Sequence, residues 1–97
     1  LKLSLYEGAI HGVACVWSPL IKKPGRIVND LIHMTDWLPT LYAAAGGNVD
    51  DLGVIDGVNQ WPAISKRRDG SRDSVLVNID EELKMESAIM GHYKLIK

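Results

Sequence analysis

The organising stretch of the chain is Lys2-Leu3-Ser4-Leu5-Tyr6-Glu7-Gly8-Ala9-Ile10-His11-Gly12-Val13-Ala14-Cys15-Val16-Trp17-Ser18-Pro19. It begins with a lone cation, and we expect Glu7-Gly8-Ala9 to form a tight turn because its glycine tolerates positive φ at little cost. The apolar run Val13 to Trp17 predicts a buried strand, which Pro19 ends because proline has no N–H to donate to a ladder. A cation just before a buried strand is well placed at the rim of a cleft. Lys2 is therefore a candidate anion contact, one of eleven cationic side chains.

Composition bounds the class of protein. A chain of 97 residues with 46% hydrophobic residues suits one small folded domain or a piece of a larger one. The net charge of −1 offers no electrostatic case for binding nucleic acid or an anionic membrane. No apolar run approaches the roughly 20 residues that a membrane span needs. The chain starts at Leu1 rather than methionine, so we expect a fragment or a processed product.

The single cysteine cannot form an internal disulfide. Cys15 lies between Ala14 and Val16 in the apolar run, and the expectation is a small buried hydrophobic residue rather than a reactive thiol.

The most regular pattern is helical. Leu38, Leu41, Tyr42 and Ala45 stand at i, i+3, i+4 and i+7, which predicts an amphipathic helix with these residues on its buried face. Thr35 or Asp36 is expected to cap its start, and Pro39 falls in the first turn, where a missing N–H costs little. Gly46-Gly47 is expected to end it, with a glycine in the left-handed position.

The remaining segments carry shorter signals. In chain order up to residue 66 we expect a turn at Lys22–Gly25, an extended segment at Arg26–Ile32, an acidic loop at Asn48–Gly57, and a short helix at Asn59–Ser65 with Trp61 and Ile64 inward. A solvated polar loop is expected at Lys66–Arg72, followed by a buried strand at Val75–Val77 and a charged loop at Glu81–Glu86. The chain is expected to close with a hairpin formed by Ser87–Met90 and Tyr93–Ile96 about Gly91-His92. This order predicts an α/β class: sheet-edge strands plus a helix, followed by a small antiparallel sheet.

No complete catalytic set is visible in the residues alone. His11, His33 and His92 lie far apart, and none pairs with a cysteine or carboxylate at metal-ligand spacing, so structural histidines are expected. The aspartates at positions 30, 36, 56 and 80 are expected to act as caps and turn residues. There is no G-x-S-x-G elbow and no phosphate-binding glycine loop.

An ordered set of motifs resembles the C-terminal portion of the sulfatase family, most closely its arylsulfatase B group (N-acetylgalactosamine-4-sulfatase-like). Lys2-x-x-x-x-Glu7-Gly8-Ala9-x-His11 is similar to that family's K-x-x-x-x-E-G-G-x-R segment. Leu31-Ile32-His33-Met34-Thr35-Asp36-Trp37-Leu38-Pro39-Thr40-Leu41 is similar to its L-I-H-x-x-D-W-L-P-T-L. Further motifs follow in the family's order: Val16-x-Ser18-Pro19, Ala45-Gly46-Gly47, Asp56-Gly57-Val58-Asn59-x-Trp61, Leu76-x-Asn78-Ile79-Asp80, Ala88-Ile89 and Gly91-x-Tyr93-Lys94-Leu95.

The resemblance implies the C-terminal part of an alkaline-phosphatase-like fold, with residues 1–70 ending the catalytic α/β domain and residues 71–97 starting a small antiparallel subdomain. It implies sulfate-ester hydrolysis by a formylglycine made in a C/S-x-P-x-R motif, with Ca²⁺ polarising the sulfate. Both belong to N-terminal segments absent here, and Cys15 lies in Cys-Val-Trp-Ser-Pro instead. Lys2 matches the family's sulfate-contacting lysine. The implied partners are a sulfated small molecule or glycosaminoglycan and the rest of the parent chain, in a lysosomal or secreted setting.

Three departures leave an alternative open. Ala9 stands in place of a glycine, His11 in place of an arginine, and one residue is missing between Ile89 and Gly91, which predicts a shortened or misregistered hairpin. A catalytically dead remnant, acting as a structural or binding module, is the second hypothesis, and an unrelated small α/β domain is the third. We expect the chain alone to be inactive on sulfate esters, because the nucleophile and the metal ligands are missing from it. We also expect it to be marginally soluble, because strands cut from a sheet leave unpaired edges.

Overall fold

The computed structural model describes residues 4–66, 70 and 72–97. Its α-helices are α1 (Glu7–Ile10), α2 (Trp37–Ala44) and α3 (Trp61–Lys66), and its strands are β1 (Ser74–Asp80), β2 (Met85–Met90) and β3 (Tyr93–Ile96). Single 3₁₀ turns cover Met34–Asp36 and Val49–Leu52. The chain divides into a sheet unit, which contains the residues up to Val16 and Asp73–Lys97, and a helical unit, Trp17–Arg72.

The sheet unit is built on an antiparallel meander with strand order β1-β2-β3. The predicted hairpin is confirmed: Met90 pairs with Tyr93, and Gly91 takes φ 54° in the two-residue connection. The β2–β3 register is regular, so the expected misregistration is absent. The predicted strand at Val75–Val77 is also confirmed, although only one face is buried, with Val75 inside and Leu76 exposed.

The predicted turn at Glu7-Gly8-Ala9 is a single helical turn, α1. Neither Gly8 nor Ala9 takes a positive φ, so alanine in the place of a glycine introduces no strain here. Leu5, just before α1, is buried, and it anchors this segment in the sheet unit.

The predicted strands of the front half are wrong. Val13 to Trp17 forms no strand, and Val13, Cys15 and Trp17 are all exposed rather than buried. The segment from Arg26 to Ile32 forms no strand either. A buried strand needs ladder partners and covering layers, and residues 4–66 contain no strand that could supply them. The described architecture is therefore helices plus one small antiparallel sheet.

The predicted C-terminal end of α2 is confirmed, and so is the position of Pro39 near its start. Pro39 is the third residue of the helix, inside its first turn. At the other end, Gly46 takes φ 89°, and the N–H groups of Gly46 and Gly47 donate to the carbonyls of Ala43 (3.0 Å) and Tyr42 (2.9 Å). These two bonds form a Schellman motif, which satisfies the last carbonyls of the helix.

The predicted buried face of α2 is wrong. Leu38 and Leu41 are 57% and 58% exposed, whereas Pro39 and Thr40 are buried. A polar residue lies inside because the Thr40 hydroxyl accepts a hydrogen bond from the N–H of Gln60 (2.9 Å) at the start of the next helical segment. Hydrophobic periodicity predicts the helix, but it contains no information about the hydrogen-bond partner of Thr40.

The short helix predicted at Asn59–Ser65 is confirmed as α3, with Ile64 buried and Trp61 half-buried. Asn59 accepts from the N–H of Trp61 at its start (2.9 Å). Among the described residues, each helix is too short, or insufficiently apolar, to traverse a lipid bilayer.

Candidate functional site

The predicted anion contact, Lys2, lies outside the described residues. The rest of its motif is described: Glu7, Gly8 and Ala9 form most of α1, and His11 is its C-cap. The site can therefore be built from the residues that follow the lysine.

Glu7 is the centre of a small group of charges on the sheet unit. Lys94 Nζ, from β3, donates to Glu7 Oε1 (2.8 Å), and His11 Nδ1 lies 3.1 Å from Glu7 Oε2, one helical turn away. We call Glu7, His11 and Lys94 the Glu7 cluster. The hydrogen bond from Lys94 is the main reason that the pKa of Glu7 is lowered, and the nearby His11 acts in the same direction. An ionised carboxylate of this kind is suited to orienting cations and unsuited to donating a proton.

A shallow cavity of about 260 Å³ lies between the N-terminal segment of the sheet unit and the first two strands with their connection. Its lining is mostly apolar, with a few polar side chains, and consists of Ser4, Leu5, Ile10, Val77, Asn78, Asp80, Leu83 and Met85. No cationic side chain lines it among the residues that the structure describes, and Asp80 brings a carboxylate. An anion such as a sulfate ester is therefore disfavoured in this cavity.

The best-connected charged group is Asp36, in the helical unit. Arg72 donates to both of its carboxylate oxygens, through Nε to Oδ2 (2.9 Å) and Nη2 to Oδ1 (2.5 Å). The backbone N–H groups of His33 (2.9 Å) and Val58 (2.8 Å) donate to the same carboxylate. Arg72 also donates to the carbonyl of Asp56 (3.1 Å). One carboxylate thus holds three separate stretches of the unit together.

These contacts correct two predictions. Asp36 stands at the N-cap position of α2, but its side chain makes no cap hydrogen bond to that helix. It belongs instead to the capping box of the preceding 3₁₀ turn, in which His33 accepts from Thr35. Arg72, expected in a solvated loop, has a side chain only 16% exposed. Within that predicted loop, Arg67–Asp69 and Ser71 lie outside the described residues, and Lys66 is the last residue of α3.

The pKa of Asp36 reflects opposing effects. Burial favours the neutral acid and by itself raises the pKa, but the hydrogen bond from Arg72 and those from His33 and Val58 outweigh it. The net result is a pKa below the ordinary value of 3.8. Asp36 is thus charged at neutral pH and acts as a structural group.

The expected turn role is confirmed for Asp80, whereas Asp30 contacts a residue 40 positions later in the chain. Asp80 accepts from the N–H of Leu83 (2.8 Å), and Asp30 accepts from the N–H of Gly70 (3.0 Å). Sequence reasoning missed Arg26, whose guanidinium donates to the carbonyls of Ala63 (3.0 Å) and Ile64 in α3. The sequence shows only that position 26 carries a cationic side chain, and such side chains commonly donate hydrogen bonds to the last carbonyls of a helix.

The described residues do not fit the family's metal or nucleophile. Within residues 4–66, 70 and 72–97, no three His, Cys, Asp or Glu side chains converge as metal ligands, so a Ca²⁺ site does not fit this part of the chain. Cys15 is exposed and lies outside a C/S-x-P-x-R motif.

Comparison with known proteins finds a sulfatase among the relatives of this chain. No family model matches the chain. Arylsulfatase J of Mus musculus is 40% identical to it over 79 residues, which is 81% of this chain and 13% of the relative. The chain thus spans only a small part of that relative's length, and helices followed by a small antiparallel sheet are consistent with a sulfatase fragment. Over most of its length, this chain is related to the sulfatase family.

Proposed function

We propose that the chain is the C-terminal portion of a sulfatase that hydrolyses sulfate esters, with its nucleophile and metal supplied by other segments of the parent polypeptide. The observation that carries the proposal is the 40% identity to an arylsulfatase over 79 residues. The ordered motifs from Lys2 to Leu95 support the C-terminal position and the likeness to the arylsulfatase B group. In this proposal residues 1–70 end the catalytic domain, and residues 71–97 begin a small antiparallel subdomain.

Lys2 is the residue proposed to touch the substrate. Its ammonium is a compact charge with three donors, which suits the tetrahedral oxygens of a sulfate. The only acidic residue of its motif, Glu7, already pairs with Lys94 and His11. The Glu7 carboxylate therefore has cationic partners of its own among the described residues.

The family's Ca²⁺ and formylglycine have no ligand set or precursor motif in the described residues, so no step is assigned to them in this chain. In this proposal the chain contributes to substrate binding and orientation: Lys2 supplies a cation for the sulfate, and the rest of the chain supplies part of the folded scaffold. By itself, the chain is proposed to be inactive. The substrate class, a sulfated small molecule or glycosaminoglycan, and a lysosomal or secreted location are carried over from the family.

A second candidate is a catalytically dead sulfatase-like module with a structural or binding role. The observation that favours it is His11, which stands where the family has an arginine and is engaged with Glu7. A histidine offers neither the permanent charge nor the planar fork of a guanidinium. If that fork is needed for turnover, the parent retains the fold and loses the activity.

A graft distinguishes the two candidates. The whole chain replaces its matching segment in mouse arylsulfatase J, and turnover of 4-nitrophenyl sulfate is measured with Ca²⁺. The enzyme proposal expects a secreted, active graft in which Lys2→Ala lowers kcat/KM by about 10²-fold or more, the size of effect seen when one oxyanion donor is removed. Lys23→Ala, in the predicted solvated turn, is the matched control and should change kcat/KM by less than a factor of two.

Each result has a distinct meaning. A folded, secreted graft without turnover supports the dead module. An active graft in which Lys2→Ala behaves like Lys23→Ala overturns the role of Lys2 and leaves the family function standing. Turnover above blank by the isolated 97-residue chain would contradict the proposal that its catalytic groups come from elsewhere.

A further inference from the structure

The helical turn α1 is too short to maintain its own conformation. It contains four residues, none of them buried, and its N-cap residue Tyr6 makes no side-chain cap hydrogen bond. Isolated helices need roughly 12–15 residues before they persist in water. The conformation of α1 in the structure therefore depends on contacts with other parts of the sheet unit.

Two contacts restrain this segment within the sheet unit. Leu5, two residues before α1, is 5% exposed. Glu7 Oε1 accepts a hydrogen bond from Lys94 Nζ (2.8 Å), which β3 brings from 87 residues away. The Lys94 side chain is only 18% exposed, whereas that of Glu7 is 59% exposed. Because β2 holds β3 in register along its length, the ammonium is the fixed end of this ion pair, and α1 is the end that the pair restrains.

The Glu7 carboxylate is also oriented through its other oxygen. His11 Nδ1 lies 3.1 Å from Glu7 Oε2, one turn along the same helix. The two oxygens thus have separate partners, one next to α1 and one on β3. The pKa of Glu7 is lowered from its ordinary value of 4.5, chiefly by the hydrogen bond from Lys94, so the carboxylate stays ionised at neutral and mildly acidic pH.

The lysine of the motif comes just before these two restrained residues in the sequence. Lys2 itself lies outside the described residues, but it precedes Leu5 by three positions and Glu7 by five. A stretch of three residues spans at most about 11 Å. Restraining Leu5 and Glu7 therefore restricts the space that the Lys2 ammonium can reach. Such a restriction matters for a rate, because a misplacement of about 1 Å in a binding group can lower the rate about 10²-fold.

We propose that Glu7 and Lys94 are positioning residues for the sulfate contact at Lys2, an inference that rests on the proposed function of that lysine. Lys94 holds the Glu7 carboxylate, Glu7 holds α1, and α1 limits the direction in which the chain leads back to Lys2. In this assignment the small antiparallel sheet contributes to substrate binding, because its third strand supplies the fixed end of the restraint.

One substitution compared with and without Lys2 tests the assignment in the mouse arylsulfatase J graft. Glu7→Gln keeps the size of the side chain and removes its charge, and it should lower kcat/KM for 4-nitrophenyl sulfate by about tenfold or more. In a graft that already carries Lys2→Ala, the same substitution should change kcat/KM by less than about a factor of two, because the lysine through which Glu7 acts is gone. A purely structural role would lower kcat/KM in both grafts.

Substitutions of Lys94 provide the second arm of the test. Lys94→Met should cause the same loss as Glu7→Gln, and the double variant should lose no more than either single variant, because all three break one ion pair. Lys94→Arg keeps the charge and should stay within about threefold of the unsubstituted graft. Glu82→Gln and Lys97→Met remove exposed charges of the same unit; as matched controls, they should change kcat/KM by less than about a factor of two. The dissociation constant of inorganic sulfate, measured by calorimetry on the same variants, gives the same comparison in a graft without turnover.

Three results would overturn the inference. An equal loss from Glu7→Gln with and without Lys2→Ala would show that the ion pair acts on folding rather than through the lysine. An effect no larger than that of the controls would separate the ion pair from the site and leave the role of Lys2 standing. A graft in which Lys2→Ala changes neither turnover nor sulfate binding contradicts the proposed role of Lys2 and, with it, this inference. A graft that binds sulfate with the expected pattern but lacks turnover supports the inference and contradicts the enzymatic proposal alone.

Discussion

Arg72 forms a two-point ion pair with Asp36, which lies 36 residues earlier in the sequence and has no solvent exposure. The pair joins Arg72, the last residue of the helical unit, to Asp36 at the start of α2. Backbone N–H groups of His33 and Val58 complete the coordination of the carboxylate. This single group therefore connects the 3₁₀ turn before α2, the chain before α3 and the end of the helical unit.

Replacing Asp36 with asparagine should strongly destabilise the fold. The variant keeps the shape of the side chain but leaves the Arg72 guanidinium without its charge partner in a mostly buried setting, and breaking such a pair costs about 3–5 kcal/mol. The measurement is the free energy of unfolding in urea, followed by tryptophan fluorescence. Asp51→Asn, at an exposed position in the Val49–Leu52 turn, should stay within about 0.5 kcal/mol of the wild type. A loss below about 1 kcal/mol for Asp36→Asn would contradict the proposed role.

The same carboxylate predicts acid sensitivity with a definite sign. Because its folded-state pKa lies below the ordinary value of 3.8, the unfolded chain takes up the proton first as the pH falls. Its stabilising contribution is therefore fully present above pH 3.8 and disappears as the pH falls through the folded pKa. The difference in unfolding free energy between wild type and Asp36→Asn should be constant from about pH 7 to 5 and shrink below pH 3.8. A difference that grows with acidification would refute this assignment.

Gly57 is expected to tolerate no side chain. A Cβ built there lies 2.1 Å from the carbonyl oxygen of Thr35 and 3.1 Å from Pro39 Cδ, so backbone would have to move. Forcing extra atoms into such a contact costs about 1–3 kcal/mol, and Gly57→Ala should lower the unfolding free energy by that amount.

Gly8→Ala is the matched control for this substitution. A Cβ at Gly8 meets nothing within 4 Å, and Gly8 takes no positive φ. In the helical turn α1, alanine should be neutral or stabilising by up to about 1 kcal/mol. Equal destabilisation by the two substitutions would show that the close approach of Gly57 to Thr35 is not what excludes a side chain.

Two serines, each 2% exposed, offer a paired test of hydrogen bonding. Ser65 donates to the carbonyl of Trp61 (2.7 Å), whereas Ser87 Oγ has no hydrogen-bond partner among the described residues. Burying an unpaired hydroxyl costs about 1–3 kcal/mol, so Ser87→Ala should stabilise the fold by about 1 kcal/mol.

Ser65→Ala should instead destabilise by about 0.5–1.5 kcal/mol, the usual net value of a hydrogen bond. Thermal unfolding of the two variants in parallel is sufficient, because the expected changes in Tm have opposite signs. A fall in Tm for Ser87→Ala would indicate that its hydroxyl does have a partner in solution.

Local patterns in the sequence predicted those elements whose stability is settled within a few residues. The β2–β3 hairpin follows from Gly91 in its two-residue connection, and the Schellman end of α2 follows from Gly46-Gly47. The strand at Val75 and the helix at Ile64 were also predictable, because their apolar residues do pack within this chain. These are features that backbone conformation and nearest neighbours decide.

The predictions that failed were those that depended on distant partners. Val13 to Trp17 has the pattern of a buried strand but has no ladder beside it, and Leu38 and Leu41 form an apolar face that remains exposed. Both patterns are consistent with burial against other polypeptide. Periodicity records that a face is apolar and carries no information about whether its covering is in the same chain.

By itself, then, the sequence determined the sulfatase resemblance, the hairpin, the limits of α2 and the existence of α3. Only the tertiary structure decided that Asp36 pairs with Arg72, that Glu7 pairs with Lys94, and that Thr40 rather than Leu41 lies inside. The physical reason is separation along the chain. Caps and turns are satisfied by neighbours a few residues away, whereas the buried Thr40 hydroxyl and the buried Asp36 carboxylate depend on partners that folding brings from 20 and 36 residues away, and Glu7 pairs with a lysine 87 residues away.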